Sequence, residues 1–321
     1  MKLHFILAVA SPIVLSPIPP ALANGAWSEF PAGGVIFKSE ENISIAREDL
    51  EVGHDIIRVR YVFESSWPEP VSRTIGFPMA KVPLDDSPDN YPDRSWAQEG
   101  QDIRNYMGLE VSVDGRPLAP PLLHEYAWLG ETDVTAKLRE MNVPVFAAST
   151  EDYESLARLP EATVEKLLRE ELAVEEGEWL VPQWQYQTVY EWTQLFEPGR
   201  SEVEITYRPL YGSFYGPEPY HPEGSESTNY CYGSDTRQKL AAILKAGALP
   251  TPFTVGYILR TAGYWNGPIA EFNLKVRRGE RDIVSFCVPD GLKATGDGVS
   301  WSAEQFEPRS DLNFVFFRRD E

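Results

Sequence analysis

The chain is poor in the residues that most catalytic chemistry uses. Its 321 residues include two cysteines, four histidines and four methionines. His4 lies at the start of an N-terminal apolar run, and His54, His124 and His221 stand far apart, so their spacing offers no metal-binding constellation. Zinc hydrolysis is not expected, and no metal or other cofactor is implied. The nucleophile elbow, the HExxH helix, the phosphate-cradling glycine loop and the dinucleotide fingerprint are also missing. Gly233-Ser234-Asp235 has the look of a nucleophile at a helix start, but with no histidine near in sequence it reads as a helix cap.

Positive charge is scarce too. Lys and Arg number 29 against 49 Asp and Glu, a formal charge of −20, which repels nucleic acid and anionic lipid headgroups. Beyond Leu15 no stretch approaches the ~20 apolar residues of a membrane span. The run before it, Phe5 to Leu15, follows Met1-Lys2 and is followed by Ala21-Leu22-Ala23, a small-x-small cleavage site. That pattern predicts a signal peptide over residues 1–23 and an exported, periplasmic or secreted chain starting at Asn24, with no transmembrane segment. In an oxidising compartment the cysteines, Cys231 and Cys287, are expected to form a disulfide stabilising the fold by ~4 kcal/mol.

What the chain has in abundance is alternation. Trp184, Tyr186, Thr188, Tyr190, Trp192 and Phe196 fall on one face of a strand, with Gln183, Gln185, Gln187, Glu191 and Thr193 on the other. After the Pro198-Gly199 turn, Val203, Ile205 and Tyr207 alternate with Glu202, Glu204 and Arg208, which predicts a second strand folding back as a hairpin. Upstream, Val35 and Phe37, Ile43 and Ile45, and Ile57, Val59, Tyr61 and Phe63 follow the same period, as do short strands over Val71 to Met79 and Met107 to Val113. Leu84 to Gln101 is loop by composition; Asp85, Asp86, Asp89 and Asp93 lack the glycine turn and terminal Glu of a calcium loop and read as a solvated acidic stretch.

Between about 132 and 176 the period lengthens. Val134, Leu138 and Met141, then Val164, Leu167, Leu168 and Leu172 after Pro160, predict helices with one apolar stripe each, an insertion capping the sheet. Tyr211 to Tyr232, dense in Gly, Pro and Tyr, reads as a long loop whose aromatics, Tyr215 and Tyr220 among them, either stack on a ligand or pin the loop. A helix from Ser234 or Asp235 to Ala246, stopped by Gly247, precedes four more strands. The fold class expected is mainly β with a helical insertion (β+α): two β-sandwich-like domains of antiparallel sheets, residues 24–210 and an α+β unit over 211–321 that holds the disulfide. One echo stands out, FEPGRSEVEITYR at Phe196 to Arg208 and FEPRSDLNFVFFR at Phe306 to Arg318, each behind a tryptophan, Trp192 or Trp301.

Several stretches together resemble one family. They are AGGVIFK (Ala32 to Lys38), AREDLEV (Ala46 to Val52), IRVRYVF (Ile57 to Phe63), IGFPM (Ile75 to Met79) and LEVSVDGRPL (Leu109 to Leu118). VPQWQYQTVYEWTQLFEPGRSEVEITYRP (Val181 to Pro209), YILRTAGYWNGPIAEFNL (Tyr257 to Leu274) and VSFC (Val284 to Cys287) complete the set. In this order they are similar to the bacterial exported proteins grouped as domain of unknown function 4424. The resemblance implies an envelope protein and supplies no reaction. Tyr264 departs from the small polar residue of that pattern, and the Tyr211 to Tyr230 loop is shorter and Ser-rich.

The expected function is therefore binding of an envelope protein or glycan, without catalysis, through aromatic loops at the sheet ends. Tyr215, Tyr220, Tyr264 and Trp265 are the candidate binding residues, Trp265 having core burial as its competing reading. A carboxylate-dependent hydrolase using Glu191 and Glu271 is the alternative, an assembly factor the third. Glu48-Asp49 is a further acidic candidate, for a cation or a partner.

Overall fold

The computed structural model describes residues 26–29, 36–79, 81–84, 105, 107–146, 156, 158–177, 179–209, 212–213, 218–221, 224–279, 282–287, 293–295 and 298–318. The expected signal peptide, the acidic stretch after Leu84 and Tyr215 lie outside the described residues. Along the chain the first strands are β1 (Ala26–Glu29), β2 (Ile36–Phe37), β3 (Ile43–Val52), β4 (Ile57–Ser65), β5 (Val71–Pro78), β6 (Val82–Pro83), β7 (Glu110–Val113), β8 (Arg116–Pro117), β9 (Leu122–Leu129) and β10 (Thr132–Asp133). Helices α1 (Thr135–Glu140) and α2 (Glu161–Arg169) follow, then β11 (Ala173–Glu176), β12 (Trp179–Pro182), β13 (Gln185–Phe196) and β14 (Gly199–Tyr207). The remainder is β15 (Gly212–Ser213), α3 (Ser225–Asn229), α4 (Ser234–Lys245), β16 (Thr251–Tyr257), β17 (Ile269–Arg277), β18 (Ile283–Phe286), β19 (Lys293–Thr295), β20 (Gly298–Phe306) and β21 (Leu312–Arg318).

Mostly β, with several antiparallel sheets and few helices, the fold is of the class expected. Its backing is an eight-stranded sheet in the order β19-β20-β17-β3-β4-β14-β7-β8. The β17–β3 pair is parallel, with β20 and β4 antiparallel on either side. A seven-stranded sheet, β10-β9-β13-β5-β1-β2 with β6 also on β13, and a four-stranded sheet, β15-β16-β21-β18, complete the frame. Both pack on the inner face of the backing sheet. Phe196 and Phe77 of the seven-stranded sheet meet Phe63 and Tyr207 at 5.4 and 5.8 Å between centroids. Tyr257 of the four-stranded sheet meets Tyr61 with hydroxyls 2.9 Å apart. One continuous core results, lined by residues from both sides of position 210.

The hairpin expected from β13 and β14 does not form. β13 pairs with β5, β6 and β9, whereas β14 pairs with β4 and β7, so Pro198-Gly199 carries the chain from one sheet to another. Gly199 has a φ of +89°, which a side chain would resist at this corner. The echo at Phe306 to Arg318 marks a second such corner, since β20 lies in the backing sheet and β21 in the four-stranded one. The aromatic-Pro turn therefore serves as a sheet-switching corner twice. It does not close a hairpin in either place.

β13 is also more buried than its alternation implied. Gln187, Thr188 and Val189 are inaccessible on both faces between Tyr186 and Tyr190. Gln187 is satisfied there, accepting from Trp128 Nε1 at 2.9 Å and donating to the Met79 carbonyl at 2.7 Å. The long loop expected over 211–232 contains α3 and a 3-10 turn at Glu218–Tyr220. α4 begins one residue after its cap Gly233, and Gly247 with φ +75° stands just past its end. Leu240 and Ile243 of α4 cover Val315 and Phe317 of β21, whose alternate residues Phe314 and Phe316 enter the main core. Cys231 and Cys287 are bonded, tying the segment before α4 to the end of β18.

Candidate functional site

The outer face of the backing sheet faces solvent and carries a groove of about 430 Å³. Its side chains come from β3, β4, β14, β17 and β20, and the pairing register lays them out in rows. One row runs Ser302, Asn273, Asp49, Arg60, Glu204 across five strands. The next runs Ser300, Lys275, Glu51, Arg58. Period two explains the arrangement: each of these alternates with an inward residue, Leu274 and Leu50 among them, that fills the core.

The groove is held by its own polar contacts. Arg47 Nε donates to both oxygens of Asp49 at 2.9 Å, which pushes the guanidinium pKa up. Asn273 Nδ2 donates to Asp49 Oδ1 and Glu271 Oε1, each at 2.9 Å. An amide lying between two carboxylates must turn its NH2 toward them, so its orientation is chemically fixed. Arg60 donates to Glu202 at 2.5 Å, Arg58 lies 3.8 Å from Glu204, and Arg277 lies 2.7 Å from Glu51. Such an arrangement presents rigid donors and acceptors to a ligand while its own charges are matched. Among the described residues no group of three or more His, Cys, Asp or Glu is placed to hold a metal ion, and no helix is long and apolar enough to cross a membrane.

Of the residues singled out in sequence, Glu271 lies at the rim of this groove and is exposed. Glu191 does not join it: it sits on β13 in the seven-stranded sheet, 2.5 Å from His124 Nε2. Tyr126, buried on β9 and facing the charges of Asp133 and Glu191, has its pKa pushed up to about 12, chiefly by burial. Trp265 is in the core, 4 % exposed, its ring 4.7 Å from Phe63 and 5.9 Å from Phe196. Of its two readings, core burial is the one the structure shows, and Trp265 is no surface anchor. Tyr264 is half-buried and its carbonyl accepts from Glu40 N at 2.8 Å. Tyr220 is half-buried, packs on Phe317 and donates to the Pro250 carbonyl at 2.7 Å, which makes it a pin for its loop. Cys231 and Cys287 are both exposed as well as bonded.

Glu48 and Asp49 take opposite faces. Asp49 lines the groove, whereas Glu48 is fully buried and accepts from Tyr257 Oη at 3.0 Å. Sequence reasoning missed Asn273, Arg58, Arg60, Ser300 and Ser302 as site residues. Their alternation with apolar residues was visible; that β17 lies beside β3 was not.

The fold and site thus define a mostly β protein with a solvent-facing polar groove on a sheet floor. Residues 23–315 match the family model of the domain of unknown function DUF4424, and the chain belongs to this family. A search of curated proteins finds no match. Among solved structures, one described as "a putative nutrient binding protein" from Legionella pneumophila is similar at 12 % identity and a TM-score of 0.40, over 93 % of this chain and 72 % of that one. A likeness at that level assigns no role to this chain.

Proposed function

We propose that the chain is exported, with residues 1–23 removed, and acts in the cell envelope as a non-enzymatic protein that binds an envelope glycan or protein in the groove of the eight-stranded sheet. The observation that carries this is the groove itself, a concave surface lined by charged and polar residues and held in shape by the Arg47, Asp49, Asn273 and Glu271 contacts. Preorganised side chains lose little freedom on binding, which favours recognition. Export is tested by fractionating cells and sequencing the mature N-terminus, expected at Asn24. Binding is tested by retention of envelope extract on the immobilised protein, expected to disappear with Asn273→Ala and Arg58→Ala while the melting temperature holds. Retention unchanged by both substitutions removes the groove from consideration.

A hydrolase has one observation in its favour, the convergence of Asp49 and Glu271 on the Asn273 amide. Consumption of envelope glycan or peptide by the wild type, lost in Glu271→Gln, would replace the binding reading.

A further inference from the structure

Resting on the reading of the groove as a binding face, we infer that its ligand is a neutral, hydroxyl-rich glycan. Charge is the first reason. Arg58, Arg60 and Lys275 in the lining are matched by Asp49, Glu51 and Glu204, so the groove is formally neutral on a chain of formal charge −20. An anionic ligand meets three carboxylates in the lining and a repelling field around it. A cationic ligand gains nothing here that the rest of the acidic surface does not offer equally. Neither sign of net charge selects this place.

Hydrogen-bonding capacity is the second reason. Among the described residues the hydroxyls of Ser300 and Ser302 have no protein partner, and Asn273 spends only its NH2. Arg58 makes one 3.8 Å ion pair, too long for a hydrogen bond, and so keeps its donors. The open set therefore includes a carbonyl acceptor, guanidinium donors, and two hydroxyls that do either. A sugar hydroxyl is both donor and acceptor, and neighbouring strands about 4.8 Å apart let one ring reach side chains of two strands.

A peptide fits less well. Strand addition needs a free sheet edge, but the groove floor is built on β17, β3, β4 and β14, each already paired on both sides. The apolar side chains of the lining, Leu50, Leu274 and Trp301, are at most 6 % exposed, so none of them opens a pocket for a peptide side chain. About 430 Å³ lies within the usual ~300–1,000 Å³ range of small-ligand sites and suits a short oligosaccharide.

The test displays the mature, disulfide-bonded protein multivalently on beads, so that weak contacts register. The beads are probed with arrays of neutral oligosaccharides, of uronate- and phosphate-bearing oligosaccharides, and of random peptides, at low and high salt. Neutral oligosaccharides are expected to bind, and a neutral ligand should be held with an affinity that salt leaves unchanged. Titration of the best one against Asn273→Ala should show about a tenfold loss, and the Ser300→Ala, Ser302→Ala pair a loss of similar size, with melting temperatures unaltered. Anionic glycans or peptides bound instead, in an Asn273-dependent way, overturn the neutral-glycan inference and leave the groove as the binding face. Binding that both sets of variants leave intact overturns the inference and the groove reading together, and no binding in any array overturns the glycan inference.

Discussion

Glu48 and Tyr257 are 209 positions apart and meet in the core, where the phenol donates to the carboxylate at 3.0 Å. With that proton spent on Glu48, Tyr61 is the donor in its 2.9 Å contact with Tyr257. The two bonds join the backing sheet to the four-stranded sheet through a polar chain inside an apolar core. Buried polar chains of this kind act as a unit.

Tyr257→Phe should therefore destabilise the protein by about 1–3 kcal/mol, because a buried carboxylate loses a donor that water cannot replace. Tyr61→Phe should cost less on the Tyr257→Phe background than alone, since its acceptor is already gone. Denaturant unfolding of the four proteins in the cycle measures both. Strict additivity would mean that the two hydroxyls do not act together.

The same burial sets the alkaline limit of the fold. Burial raises the pKa of Tyr126 to about 12, and burial together with the nearby Glu48 charge raises Tyr207 and Tyr257 well above the ordinary value. A raised tyrosine contributes stability in full below its unfolded pKa, ~10. It loses that contribution as the pH climbs toward the folded value, by ~1.4 kcal/mol per pH unit for each group. Stability should be level with respect to these groups below pH ~10 and fall steeply above it. Phenolate absorbance and circular dichroism, followed together, should change in one step, and Tyr207→Phe should make the fall shallower.

Removing the Cys231–Cys287 bond, which spans 56 positions, should lower stability by ~4 kcal/mol on chain entropy alone. Because both half-cystines are exposed, a mild reductant should open the bond without denaturant. Melting curves of the reduced protein and of the double Cys→Ala variant are expected to coincide.

How far the sequence reaches is clearest at three places. The alternation through Tyr186, Tyr190 and Phe196 assigns the inward face correctly, because period two is a property of the strand alone. It does not assign a partner: the Pro198-Gly199 corner has the chemistry of a hairpin turn, and only the tertiary fold sends β14 to another sheet. Likewise Asn273 and Asp49 are both recognisable as outward residues, yet their 2.9 Å contact depends on a parallel pairing between segments 224 positions apart. Such pairings leave no local mark. Trp265 was open to both readings because a Gly-Pro bend directs a ring inward or outward with equal ease, and the aromatic pair Phe63 and Phe196 decides it.

The loop that carries Trp265 is clamped by a second buried charge, and this gives the last expectation. Glu40, with a side chain 2 % exposed, accepts from Arg73 Nε at 2.6 Å, from Asn42 N at 2.9 Å and from Trp67 Nε1 at 3.4 Å. Its backbone N–H donates to the Tyr264 carbonyl, while Arg73 lies over the Trp67 ring at 5.5 Å. Arg73→Met keeps much of the volume and strips the charge, leaving the carboxylate buried without its cation. The expected cost is about 3–5 kcal/mol, since a broken buried pair costs far more than an exposed one. Changing Glu40 to Gln on that background should recover part of the loss by removing the orphaned charge. Urea unfolding of the wild type and the two variants distinguishes the outcomes: a loss below ~1 kcal/mol for Arg73→Met would place the pair with ordinary surface ion pairs, and the clamp would then rest on its remaining hydrogen bonds, the backbone contact to Tyr264 among them.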